Sequence, residues 1–518
     1  MNLHPANSTA ASRLLWSAAA RRRFFQPGCP PPNSGSKLPH SKLAPRRPSG
    51  SVLIVVMWIA FGVVGMALYF AHAMEMNMRA ADNALASIQA DQAIESAAIY
   101  YSNVLSYVMQ INQKQGAMGQ YMQPYMLPPT NYYRAAAVQI GEGRWWAIGR
   151  DTNSLDFARR SPDPSFGLID EASKANVNNT TLYGSPDDTT ATNLLLGLPQ
   201  MNYNILSAIY DWTSTNTTPS QNGAKNTTYS SLNPPYVCKM TNFDTIGELR
   251  MVYGVDMGIL YREDANNNGA LDPNKNDGER LPPTDNGDGI LNCGLIEQLT
   301  VNTHEPTNIG TAAYPTNRIV VSDLTSVTNF IGTNFPSVYN AISAKLATVT
   351  TVSNILDFIM KSGITEQDFI TIEPFLMTTS NTVGLINVNT ANAFTLGCIP
   401  GIGSDSVLGF GSPNAQTILN FRQSNPGRLN SVYWLIDAMN NLGTNAILAA
   451  GNWVTSRSWQ YTADVAAVGR FGRGYRRVKF VFDCSSGVPL IVFRQDLTYL
   501  GWALGKKIHD QVLAGTLK

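Results

Sequence analysis

The segment Asp264-Ala265-Asn266-Asn267-Asn268-Gly269-Ala270-Leu271-Asp272 sets oxygen-bearing side chains at its first, third and fifth positions, glycine at the sixth and an apolar residue at the eighth. That spacing opens a calcium loop, because a hard cation gathers several oxygens at once from a chain that turns sharply at glycine. The end departs from the pattern. The twelfth position should carry a bidentate Glu and carries Lys275, so Asp272, Asp277 or Glu279 would have to complete the shell. A second group, Asp285, Asn286, Asp288 and Asn292, follows closely and closes the same site or forms another. The expected ligands are Asp264, Asn266, Asn268, Asp272, Asp277, Asp285 and Asp288, with calcium as the ion. The bland alternative is a solvated Asn, Asp and Gly loop that makes turns and binds nothing.

A second chemistry is suggested by Ile399-Pro400-Gly401-Ile402-Gly403, since helix-hairpin-helix modules use such a turn to aim backbone amides at a nucleic-acid phosphate. Contact of that kind draws its strength from nearby cations, and only Arg422 and Arg428 lie close in sequence. Glycine in a tight interhelical turn is also needed wherever φ is positive. The expectation is a structural hairpin at Pro400, Gly401 and Gly403. With a net charge of +1 and 14% charged residues there is no electrostatic case for nucleic acid as a bulk partner.

Catalysis finds no foothold. The five histidines, His4, His40, His72, His304 and His509, are scattered, and no nucleophile elbow, His-Glu-x-x-His pair or phosphate-binding loop occurs. Asp170 and Glu171 are adjacent carboxylates, but their context assigns them to a capped turn.

The elements that must position these segments begin with Ser51 to Met74, a run without Asp, Glu, Lys or Arg. Val52 to Ala71 is long enough to cross a hydrocarbon core as a helix. Arg46 and Arg47 abut it on the N-terminal side and should hold that side in the cytoplasm. Beyond the run the sequence stays helix-compatible to about Gln113, with Ala90, Ala93, Ile94, Ala97, Tyr101, Val104, Leu105 and Val108 as a stripe at helical spacing. Span and stripe read as one continuous helix.

Residues 1–50 are rich in Pro, Ser and Arg and read as a disordered basic leader. Strands are predicted at Tyr132 to Ile140 and Arg144 to Gly149 around a Gly141-Glu142-Gly143 turn, then far away at Tyr461 to Val468, Arg477 to Asp483 and Pro489 to Arg494. The implied fold is α+β, a long N-terminal helix packed on a small antiparallel sheet that is interrupted by a large helical insert. Within the insert, Leu168 to Trp212 and Leu385 to Arg422 form an internal repeat. Each copy has an Asn-Val-Asn turn, a short helix, a hydrophobic-Pro hairpin and a second helix. The expected division is 1–50 leader, 51–74 span, 75–165 helix extension and first strands, 166–262 first repeat, 263–299 Asp/Asn-rich loop, 300–384 unassigned, 385–450 second repeat, 451–500 late strands and 501–518 tail. Of five cysteines, Cys29 lies in the leader. The other four, Cys238, Cys293, Cys398 and Cys484, show no CxxC spacing and are open to disulfides or to burial as free thiols.

A basic leader ending at Gly50, an apolar stem and an amphipathic extension together resemble a type IV prepilin-like subunit. The resemblance implies cleavage between Gly50 and Ser51 by a prepilin peptidase, and residence in the inner membrane with the large domain in the periplasm. Members of that class mostly carry Glu five residues after the cut, where this chain has Val55. A carboxylate in the bilayer needs a partner, in this class the N-terminal amine of the subunit above. A subunit without it needs none above. That absence, with Asp-Glu-Ala-Ser-Lys before Asn-Val-Asn and Gly247-Glu248-Leu249 before Val252-Tyr253-Gly254-Val255, is similar to the K-type minor pseudopilin of type II secretion systems. The resemblance implies calcium binding, the I-type and J-type minor pseudopilins and the secretion assembly platform as partners, and a place at the pseudopilus tip. SAM-like or helix-hairpin-helix-like repeats are expected for the two copies.

Overall fold

The computed structural model describes residues 51–111, 113–116, 119–122, 133–150, 161–179, 194–310, 316–380, 383–403 and 412–517. The leader, Gly50 and Tyr132 lie outside them. The chain divides into two units, residues 1–73 and 74–518. In the first, the described residues form the start of a continuous helix, Ser51–Ile111. Its side chains from Val52 to Phe70 are exposed, Val55 among them, and the helix is long and apolar enough to cross a membrane.

In the second unit the helix buries the expected stripe: Ala90, Ala93, Ile94, Ala97, Tyr101, Leu105 and Val108 are buried and Val104 packs beside them. They meet a six-stranded antiparallel sheet made of β1 (Val138–Ile140), β2 (Gly143–Ile148), β3 (Ile169–Asp170), β4 (Gln460–Val468), β5 (Arg476–Asp483) and β6 (Leu490–Asp496). The order is β6-β5-β4-β2-β1, with β3 also on β4. Alternation along β4 sends Tyr461, Ala463, Val465 and Ala467 to the helix and Ala466 and Val468 to the opposite face, where Ala503 and Leu504 of the C-terminal segment cover them. The tryptophans of β2 divide the same way, Trp145 toward the helix and Trp146 away from it. Burial of a side chain such as Val465 or Val468 stabilises the sheet by ~1.5–3 kcal/mol, and of each alanine by roughly 0.8 kcal/mol. The helix approaches so closely that a Cβ on Gly469 would lie 2.1 Å from the Ala86 carbonyl oxygen, so only glycine fits there.

Residues 171–459 leave the sheet after β3 and return at β4. Besides a small cluster of Ile309, Phe375 and Trp459, their described residues contain two large further cores. One gathers Val177, Leu198, Ile205, Ile209 and Trp212 of the first copy with Phe243, Leu249, Leu260 and Leu295. The other joins Val388, Leu396, Ile399, Ile418 and Trp434 of the second copy to helices Leu324–Asn334, Pro336–Leu346, Ile355–Ser362 and Glu366–Ile372. The stretch 300–384, unassigned from sequence, thus supplies four helices to the second copy's core.

The two copies do share a local design. Asn176 and Asn387 each accept the amide two residues on, 2.8 and 3.0 Å away, so both Asn-Val-Asn segments are Asx turns. Each follows a two-residue strand paired in parallel, Ala175–Asn176 with Leu299–Thr300 and Ile386–Asn387 with Val454–Thr455. The turn itself is not the helix cap. In the second copy that role falls to Asn392, whose side chain accepts from Thr395 at 2.9 Å ahead of Ala393–Leu396. Cys238, Cys293, Cys398 and Cys484 are buried free thiols.

Candidate functional site

The Asp264–Lys275 loop closes as its spacing predicts, but on an atom of its own chain. Lys275, which ends the 3-10 turn Pro273–Lys275, turns its ammonium back into the loop with its side chain 1% exposed. Nζ lies 2.6 Å from Asp264 Oδ1, 2.7 Å from Asn266 Oδ1, 2.7 Å from Asn268 Oδ1, 2.9 Å from the Ala270 carbonyl oxygen and 3.0 Å from Asp272 Oδ2. These are the first, third, fifth, seventh and ninth positions of a calcium loop, the seventh through its backbone, with Gly269 at φ +67° in sixth place.

Each asparagine turns its carbonyl toward Nζ, while its amide donates both to Asp272 Oδ2, at 3.1 Å from Asn266 and 3.0 Å from Asn268, and to the C-terminal segment. Asn266 Nδ2 donates to the Trp502 carbonyl at 2.8 Å and Asn268 Nδ2 to that of Ala503 at 3.0 Å, which ties the loop to the C-terminal segment. Arg477 of β5 reaches the carbonyls of Asn266 and Asn267 while pairing with Asp464 of β4 at 2.5 Å, both side chains buried. Arg150, just past β2, donates to the Asn267 carbonyl at 3.1 Å and pairs with Glu297 at 2.6 Å. Burial by itself would raise the pKa of Asp264, but Lys275 and Arg150 beside it hold the carboxyl below its ordinary value.

Calcium does not fit this loop as folded. The cage already encloses a positive charge, and its 2.6–3.0 Å spacings to Nζ suit an ammonium rather than the ~2.3–2.6 Å of calcium to oxygen. Asp277, Asp285 and Asp288 do not join it. Asp285 accepts backbone amides of Asp277, Gly278 and Gly287, Asp277 accepts that of Leu281, and Asp288 accepts that of Ile290, all as local turns. Asn292 is held by Glu263. Among the described residues no three His, Cys, Asp or Glu side chains gather as a metal-binding group.

The Pro400-Gly401-Gly403 hairpin is packed inward. Ile399 and Ile402 are fully buried, and Gly401, at φ +83°, lies so close to Ala446 that an added Cβ would stand 2.1 Å from its carbonyl oxygen. The nearby cations are engaged elsewhere. Arg422 is buried and donates to the carbonyls of Val388 and Ala391 at 3.0 and 2.8 Å, and burial pulls its pKa down to about 10. Arg428 pairs with Glu366 and Asp437.

A third polar centre was only half anticipated. Asp170 caps the short 3-10 turn Glu171–Ser173, as expected for a capped turn, with Oδ1 accepting from Ala172 at 2.8 Å. Its other oxygen accepts from Asn387 at 3.1 Å, Thr390 at 2.5 Å and Ser458 at 2.5 Å, so one carboxylate joins both copies to the approach to β4. Glu171 accepts from Thr300 and Thr462, the latter at 2.6 Å. The roles of Lys275, Arg150 and Arg477 were not foreseen. Lys275 alone carried a signal, as a cation where the loop pattern requires an anion.

Residues 173–262 match the family model described as type II secretion system (T2SS), protein K. No curated protein matches the chain. Among solved structures, the chain is similar to one in the GspK-GspI-GspJ complex of the enterotoxigenic Escherichia coli type 2 secretion system, at 9% identity and a TM-score of 0.37 over 78% of this chain and 96% of that one. The matched segment includes Asn176-Val177-Asn178 and, in the 3-10 turn Ile246–Met251, Gly247-Glu248-Leu249, both among the residues that carry the resemblance. Over residues 173–262, then, the chain is similar to protein K of the type II secretion system.

Proposed function

We propose that the chain works by assembly, not catalysis, as the tip subunit of a type II secretion pseudopilus. The protein K match over residues 173–262 carries this reading. The stem supports it, since Ser51 to Met74 holds no carboxylate and Val55 stands where other subunits carry Glu, so nothing in the span calls for a subunit above. After cleavage between Gly50 and Ser51 the stem anchors in the inner membrane, with the N-terminus cytoplasmic and residues after Met74 periplasmic. It packs beside I-type and J-type partners, and the insert with its two SAM-like copies sits above them. The joint complex then seeds a pseudopilus that drives folded proteins through the outer membrane.

N-terminal sequencing of membrane-extracted protein, with co-purification of the I-type and J-type partners, tests this. A mature end at Ser51 and a ternary complex are expected. A mature end near Met1, or the protein flanked by subunits on both sides within a filament, overturns it.

A further inference from the structure

The sequence pattern of a calcium loop and the charge inside it point in different directions. Five oxygens converge as they would on a divalent ion, yet the atom at their centre is Nζ of the twelfth residue. An ammonium has three protons for those oxygens and one positive charge for the two carboxylates of Asp264 and Asp272. Arg150 and Arg477 supply further positive charge at the loop's Asn267 carbonyl. A calcium ion added here would face Lys275 at contact distance, with no remaining oxygen to separate them, and a buried unpaired like charge is strongly unfavourable. The lysine must therefore leave its cage for the ion to enter. Its exit would also cost the inward orientation of Asn266 and Asn268, whose amides hold Trp502 and Ala503.

We propose that residues 264–275 form a cation site filled permanently by the chain's own ammonium. Lys275 replaces the ion, and the junction between loop, sheet and C-terminal segment forms without calcium.

Two measurements on the full chain in detergent test this. Acylation by an N-hydroxysuccinimide ester, read by mass spectrometry, should modify Lys275 at least about tenfold more slowly than exposed Lys506 and Lys507, equally in chelator and in millimolar calcium. Calcium that unmasks Lys275 to the reagent overturns the proposal. Lys275→Glu restores the acidic twelfth position. In chelator it should melt several degrees below wild type, on the order of 5 °C, and millimolar calcium should recover most of that loss. A folded Lys275→Glu variant with the same Tm with and without calcium overturns the proposal. Should the variant not fold, the acylation pattern of the wild-type chain still decides.

Discussion

Replacing Asp170 by asparagine isolates the electrostatic cost of the carboxylate that joins the two copies. That group is 4% exposed, and its four donors, the Ala172 amide, the Asn387 side chain and the Thr390 and Ser458 hydroxyls, are all neutral. Burial pushes its pKa up from 3.8 to about 6, the hydrogen bonds offsetting part of the effect. A carboxyl that holds its proton more tightly when folded makes folding less favourable as pH rises from the unfolded pKa toward the folded one. The loss levels off at ~3 kcal/mol above both. Below both it vanishes. Asp170→Asn lacks this slope while keeping the shape and much of the hydrogen bonding. The variant's unfolding free energy minus that of wild type should therefore grow by ~2 kcal/mol between about pH 4.5 and pH 7. Denaturant titrations of both proteins across that range measure it, with comparison at each pH removing the carboxylates they share. Curves that stay parallel within ~0.5 kcal/mol would refute the reasoning, since a solvated carboxylate would leave no such difference.

Other expectations follow from named contacts. Gly401→Ala should destabilise by about 3 kcal/mol or more in denaturant titration, because its Cβ meets the Ala446 backbone and its φ is +83°. Arg477→Met should lose about 3–5 kcal/mol, as it leaves Asp464 buried without its partner and frees the Asn266 and Asn267 carbonyls. His304 lies 3.4 Å from Asp483, and that bond raises its pKa above 6.5 despite the opposing effect of partial burial. Its stabilising contribution is complete below pH 6.5 and disappears as pH rises through the raised value. The Tm difference between wild type and His304→Gln should accordingly be larger at pH 6 than at pH 8.

The late strands and β2 were legible because they are regular and long enough to show hydrophobic content, whereas the predicted strand Tyr132 to Ile140 is strand only over Val138–Ile140, with Tyr132 outside the described residues. Predicted Tyr461 to Val468 is Gln460–Val468, Arg477 to Asp483 is Arg476–Asp483, and the Gly141-Glu142-Gly143 turn joins β1 to β2. The buried stripe of the helix was legible for the same reason. The short β3 strand was not, since two residues carry no period, and it was read as the opening of a repeat. Asp170 could be recognised as a cap from its neighbours Glu171 and Ala172. Its bonds to Asn387, Thr390 and Ser458 depend on contacts more than 200 residues away that no local pattern encodes. The side-chain oxygens of Asp264, Asn266, Asn268 and Asp272, singled out from sequence as calcium ligands, do converge, but on Lys275 Nζ. Spacing alone showed only that the twelfth position lacks an acidic ligand, and did not show that a long flexible cation there can fold back into the loop.

β3 and β4 carry one more implication. Tyr461 faces Asp170 and Thr462 faces Ile169 across hydrogen-bonded antiparallel strands, so the chain departs for residues 171–459 and comes home at adjoining rungs of one ladder. A loop whose feet are already clasped gains or loses length at a cost that grows only as the logarithm of its size. Chain length between these rungs is therefore a weak constraint, and what restricts the size of the excursion is the set of side-chain ties it must keep, from Asn266 and Asn267 to Arg477 and from Glu297 to Arg150.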